Sequence, residues 1–95
     1  MALLIKVDGS EKKVKLKKYG REQLLEIQQL VGGWVQIIPI APIERPQYVM
    51  MAMDEEGKIK RKDVNRSATM AAAGFLLPKD NVVGDVVLLE AHELI

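Results

Sequence analysis

Apolar and polar residues alternate at the start of the chain. Leu3, Ile5 and Val7 fall on one side of an extended segment over 1–7, and Val14 and Leu16 on one side of a second over 12–18, whose other side carries Lys13, Lys15 and Lys17. A period of two is that of a half-buried strand, and the turn residues Asp8-Gly9-Ser10-Glu11 lie between the runs, so the pattern predicts a β-hairpin. The period then changes. Leu24, Ile27, Leu30 and Val31 recur at spacings of three and four, which predicts an amphipathic helix over 21–31 with Glu22, Glu26 and Gln29 toward water. Gly20 can serve as its N-cap, with Gln23 at the third helical position and Tyr19 placed to staple onto Leu24. Gly32-Gly33 ends it, because glycine takes the left-handed conformation after a helix without a Cβ clash.

A strand over 34–40 starts at once. Pro39, Pro42 and Pro46 then make 41–47 a connection or an edge, since proline has no ladder donor. Runs over 48–53 and 58–62 flank Asp54-Glu55-Glu56-Gly57 and predict a second hairpin. Asn65 can cap a short helix over 66–73, rich in the strong helix former alanine and stopped by Gly74. The segments 75–77 and 82–90, joined by Pro78-Lys79-Asp80-Asn81, read as a last pair of strands. Strands clustered in hairpins predict an α+β fold: a mainly antiparallel sheet of six to seven short strands, one amphipathic helix over 21–31 and a second short helix over 66–73, in a single domain over 1–95.

Composition narrows the class. The 95 residues are 48% apolar and 28% charged, with no cysteine and one histidine. Structural zinc, thiol redox chemistry and Cys/His nucleophile pairs therefore have no support, and no catalytic residue, metal or cofactor is expected. The apolar start is far shorter than the roughly 18 residues of a membrane span and has no cleavage site after it, so a cytoplasmic protein with no membrane association is expected. A chain of this length buries only roughly 60 to 65% of its extended surface, which makes a homo-oligomer a natural source of further burial.

The net charge of +1 hides a block pattern. Residues 1–21 carry seven cations against two acids, 22–56 one against six, 57–66 five against one, and 67–95 one against four. Duplex nucleic acid is not the expected partner, because affinity for it grows with a general excess of Lys and Arg. A local anion site remains open.

Each chemical candidate has a plain structural explanation beside it. Asp54-Glu55-Glu56 reads as a solvated hairpin tip, Gly32-Gly33 as a helix cap, His92 with Glu90 and Glu93 as an exposed terminal group, and Met50, Met51, Met53 and Met70 as core filling. Ser10, Ser67 and Thr69 have no neighbouring base. The two lysine runs, Lys13/Lys15/Lys17 and Lys58/Lys60/Lys62, each fall on one strand face and read as guards of a sheet edge. A phosphate-binding reading stands against that one. It uses Lys60, Lys62 and Arg66 with the donors Asn65, Ser67 and Thr69, and Trp34 or Tyr48 to stack on a base. The apolar run before Glu90 suits a central strand or one buried at a subunit contact.

Read in order, Leu30-Val31-Gly32-Gly33-Trp34-Val35-Gln36-Ile37-Ile38-Pro39, Met53-Asp54-Glu55-Glu56-Gly57-Lys58, Asn65 with Ala68-Thr69, and Val83-Gly84-Asp85-Val86-Val87-Leu88 resemble a small domain family of unknown function, common in bacteriophages, prophages and plasmids. The chain departs from it over 58–65, where relatives carry a Gly-Leu-Pro-Pro-Asn-like stretch. The resemblance implies a mobile-element origin and a non-enzymatic inhibitor of host defence that sequesters a nucleotide-derived signal in an oligomer-formed pocket. The alternative is a protein-interaction module that acts on a host or phage protein through sheet-edge pairing or its charged blocks.

Overall fold

The computed structural model describes residues 1–16 and 20–93. The chain runs β1 (Ala2–Ile5), β2 (Glu11–Val14), α1 (Gly20–Val31), β3 (Val35–Pro39), β4 (Tyr48–Asp54), α2 (Arg66–Ala71) and β5 (Val86–Glu90). Among the described residues the five strands form one sheet in the order β2-β1-β5-β4-β3, with every pairing antiparallel.

The first hairpin forms because Asp8 organises its turn. The Asp8 carboxylate accepts from the Ser10 amide at 2.8 Å and the Ser10 hydroxyl at 2.6 Å, while Gly9 takes a φ of +90°. Strand β2 ends at Val14, short of the predicted 12–18, and the end of that run, with Lys17 and the Tyr19 staple, lies outside the described residues. Helix α1 closes as the glycine pair predicts: the Gly32 and Gly33 amides both donate to the Gln28 carbonyl, at 2.8 and 3.1 Å, with Gly32 at φ +83°. Its buried stripe runs through Gln23, Ile27 and Val31, whereas Leu24 is partly exposed. The inward face is therefore rotated from the predicted one.

Both faces of the sheet are covered. Side chains of one parity, including Leu4, Ala52, Val87 and Leu89, pack with Ile27 and Val31 of α1. The other parity, including Leu3, Ile5, Met51 and Leu88, packs with Ala68 and Ala72 at α2 and with Val82. Strand β5 lies between β1 and β4 and is buried from Val86 to Leu89, as a run apolar on both faces requires. A bulge between Tyr48 and Met50 shifts the register by one and turns Tyr48 onto the same face as Met51.

Two predicted strands are absent, which reduces six or seven to five. The segment 58–62 is a run of turns: the Lys60 amide donates to the Glu56 carbonyl and the Lys62 amide to the Gly57 carbonyl, and Arg61 takes a left-handed φ of 57°. Residues 75–77 find no ladder, because both edges of β5 are already taken, and Pro78 leads into a turn closed by the Asp80 amide on the Leu77 carbonyl. Helix α2 ends at Ala71, two residues before the predicted end, although Asn65 caps it as expected by accepting from the Ala68 amide. Met70 is not core filling: it is 77% exposed. No described helix is long and apolar enough to cross a membrane.

Candidate functional site

The densest polar construction is built on Asp54, at the end of β4. This residue is no solvated tip: its side chain is fully buried. Lys62 Nζ pairs with Asp54 Oδ2 at 2.7 Å and Lys60 Nζ at 2.9 Å, while the Glu56 amide donates to Oδ1. The same two ammonium groups reach the end of α1, Lys62 to the Val31 carbonyl at 2.8 Å and Lys60 to the Gly32 carbonyl at 3.3 Å. Cations placed there satisfy carbonyls that have no partner inside the helix and complement the negative end of its dipole. Burial pushes the Asp54 carboxyl up, but hydrogen bonds from Lys62, Lys60 and the Glu56 amide outweigh it and hold the group at about 2.

Glycine is needed around this triad because the space is occupied. A Cβ on Gly33 would lie 2.6 Å from Lys60 Nζ and 2.7 Å from Asp54 Oδ1, and one on Gly84 would lie 2.8 Å from Lys62 Cδ. Three separated stretches of sequence, 32–33, 54–57 and 84, thus converge on one ion cluster around a buried carboxylate that ties α1 to β4 and to the approach of β5.

Of the eight residues predicted to bind a ligand, only Trp34, Lys60 and Lys62 cluster around the Gly32-Gly33 turn. Trp34 and Lys60 line one open groove of about 620 Å³ with Leu25, Gln28 and Gln29, and Lys62 lines another across Gly32. Asn65 is buried, and its side-chain amide donates to the Ile5 and Gly84 carbonyls, both at 3.0 Å. The Thr69 hydroxyl donates to the Asn65 carbonyl and accepts from the Val82 amide. These two side chains join α2 to the sheet. Tyr48 lies in the core and has no ring face free to stack. Ser67 lines a separate, largely apolar groove between α2 and residues 41–45, and Arg66 is exposed at the start of α2.

The profile of the domain of unknown function DUF3846 matches residues 1–93. The chain belongs to the DUF3846 family. No curated protein and no solved structure matches this DUF3846 chain significantly. The blocks Val31-Gly32-Gly33, Asp54-Glu55-Glu56-Gly57 and Gly84 are those that meet at the Asp54 cluster of this DUF3846 domain.

Two further features lie away from the Asp54 cluster. Glu90, His92 and Glu93 bring ligand-type atoms within 4.8 Å of one another. Contacts within the protein already account for both carboxylates: Glu90 pairs with the Met1 ammonium, and Glu93 Oε1 accepts from the Glu90 amide at 2.9 Å. The second feature is the outer edge of β3. Its residues Val35-Gln36-Ile37-Ile38-Pro39 carry no charge, Trp34 just before them is 67% exposed and Ile37 is 39% exposed. Among the described residues strand β3 ends the sheet order, so one side of its backbone has no ladder. The signal was present in the sequence as a strand without a charged residue, whose one edge-blunting feature is Pro39 at its end.

Proposed function

We propose that this DUF3846 protein acts by binding rather than by catalysis, as an interaction module whose working surface is the outer edge of β3. The observation that carries this reading is an uncharged edge strand flanked by an exposed tryptophan, on a sheet whose opposite edge carries lysines. An extended segment of a partner would add to β3 through main-chain hydrogen bonds, with Trp34 as an aromatic anchor beside it.

Selection from a library of extended peptides tests the reading. Enriched peptides should slow amide exchange at Val35 and Ile37 and lose at least about tenfold in affinity in Trp34→Ala, a change of roughly 1.4 kcal/mol. Binders that protect other amides and ignore Trp34 would refute it.

A second reading is favoured by the groove that Trp34 shares with Lys60: a nucleotide-type ligand stacked on the indole with its phosphate toward Lys60. It is the weaker of the two, because Lys60 and Lys62 already serve Asp54 and the end of α1. Calorimetry against a panel of cyclic and ADP-ribose-derived nucleotides distinguishes it.

A further inference from the structure

The hydrogen bonds at the two ends of the β3–β4 pair fix which backbone groups face outward. The Glu55 amide donates to the Trp34 carbonyl at 2.7 Å, and the Ile40 amide donates to the Val49 carbonyl at 3.0 Å. Together with the register Val35↔Asp54 through Pro39↔Met50, they turn the N–H and C=O of Trp34, Gln36, Ile38 and Ile40 toward β4. In an antiparallel ladder the alternate residues face the other way. The free edge therefore offers an N–H and a C=O from Val35, the same two from Ile37, and from Pro39 a carbonyl alone.

We infer that this edge pairs antiparallel with β3 of a second copy of the chain, about a twofold axis at Gln36, so that the two five-stranded sheets join into one. The inference rests on the reading of the β3 edge as the working surface and names its partner. In this register Val35 of each copy lies opposite Ile37 of the other, and the two residues exchange both hydrogen bonds, giving four across the axis. All four outward groups of Val35 and Ile37 are used. Pro39 falls beyond the paired stretch, where its missing donor leaves no gap in the ladder. Trp34 falls opposite Ile38 in the close, non-hydrogen-bonded kind of pair, at the end of the joined stretch.

Charge permits the self-pairing and favours this edge over the opposite one. Residues 34–39 contain no ionisable side chain, so pairing β3 with itself sets no like charges against each other. The same operation on β2 would bring Lys12 and Lys13 of two copies together, which is unfavourable. An isologous contact of this kind closes on itself and leaves only the lysine-bearing β2 edges at the two ends of the joined sheet.

Gln36 is exposed, so a charge there leaves the fold intact and tests the axis directly. Sedimentation should show a dimer for the unaltered protein. Gln36→Lys and Gln36→Glu should each weaken the dimer at least about tenfold at low salt, because like charges then meet at the axis. An equimolar mixture of the two variants should recover it as a heterodimer. Exchange of the Val35 and Ile37 amides should accelerate about a hundredfold in either variant alone, while that of Leu88 in central β5 stays unchanged and reports an intact fold. A monomer at roughly 100 μM, or a dimer indifferent to both charges, would overturn the self-pairing. A monomer that still binds selected peptides along Val35 and Ile37 ends the self-pairing but leaves the edge reading standing; one that binds none ends both.

Discussion

The two lysine runs have the same spacing and different fates. Of the first run, Lys13 and Lys15 lie at or just past β2, exposed to water at one end of the sheet, and Lys17 lies outside the described residues. Lys58, Lys60 and Lys62 are all engaged: Lys58 pairs with Asp80, and the other two pair with Asp54. The difference lies in what each run can reach. No acid is paired with Lys13 or Lys15 among the described residues, whereas a buried carboxylate at the end of β4 and the open carbonyls of α1 draw in Lys60 and Lys62. A charge with a buried partner becomes part of the framework, and one without becomes a guard. Consequently one end of the sheet is defended by cations and the other, at β3, has none.

Removing the buried partner should break this contrast most. Asp54→Ala leaves two ammonium groups facing the end of α1 with no anion between them, and stability should fall by about 3 kcal/mol, read as a lower urea midpoint. The upper end of the usual range is not expected, because the Lys60 and Lys62 side chains keep 40% and 24% of their exposure.

Acid should reproduce part of that loss reversibly. The Asp54 carboxyl sits at about 2 in the folded protein against an ordinary 3.8. A depressed carboxyl stabilises the fold above its unfolded value, so the contribution is whole above roughly pH 4 and disappears as pH falls through about 2, amounting to no more than about 2 kcal/mol. Exposed acids such as Asp8 and Asp80 are lowered as well, by hydrogen bonds from Ser10 and Lys58, so the difference between wild type and Asp54→Asn isolates the buried group. The penalty of that substitution should be largest near neutrality and shrink toward pH 2. A penalty independent of pH would show that Asp54 acts through packing alone.

Much of the framework was legible because it is written in local rules. The Asp8-Gly9 turn, the Gly32 cap, the Asn65 cap and the continuous apolar run of β5 each follow from the conformational or burial needs of a few neighbouring residues. The errors lie where a long-range polar contact overrules a local pattern. Alternation in Lys58-Ile59-Lys60-Arg61-Lys62 reads as a strand, yet the segment folds into turns that bring Lys60 and Lys62 onto a carboxylate in the preceding strand, and Ile59 is left 79% exposed. Tyr48 and Asn65 looked available for a ligand because their letters carry polar handles. A bulge in β4 and two backbone carbonyls, neither visible in sequence, commit them to the core. The candidate edge at β3 was readable as an absence of charge, but its exposure depended on a strand order that periodicity does not give.

The smallest effect separates guard from framework most sharply. Lys60→Met keeps the side-chain stem but deletes one of the two cations on Asp54 and a donor to the Gly32 carbonyl, and should lower stability by about 1 kcal/mol. Lys13→Met deletes an equally long, equally charged side chain that stands in water, and stability should stay within about 0.5 kcal/mol of wild type. The second substitution should nonetheless have a visible consequence of its own. With a cation gone from the β2 end, the protein should self-associate more readily on warming, read as light scattering at a fixed concentration, because an edge lacking charge is open to pairing with another chain. Equal stability losses for the two variants would mean that the buried carboxylate adds nothing to what a surface lysine already has, and the contrast between the runs would be one of position only.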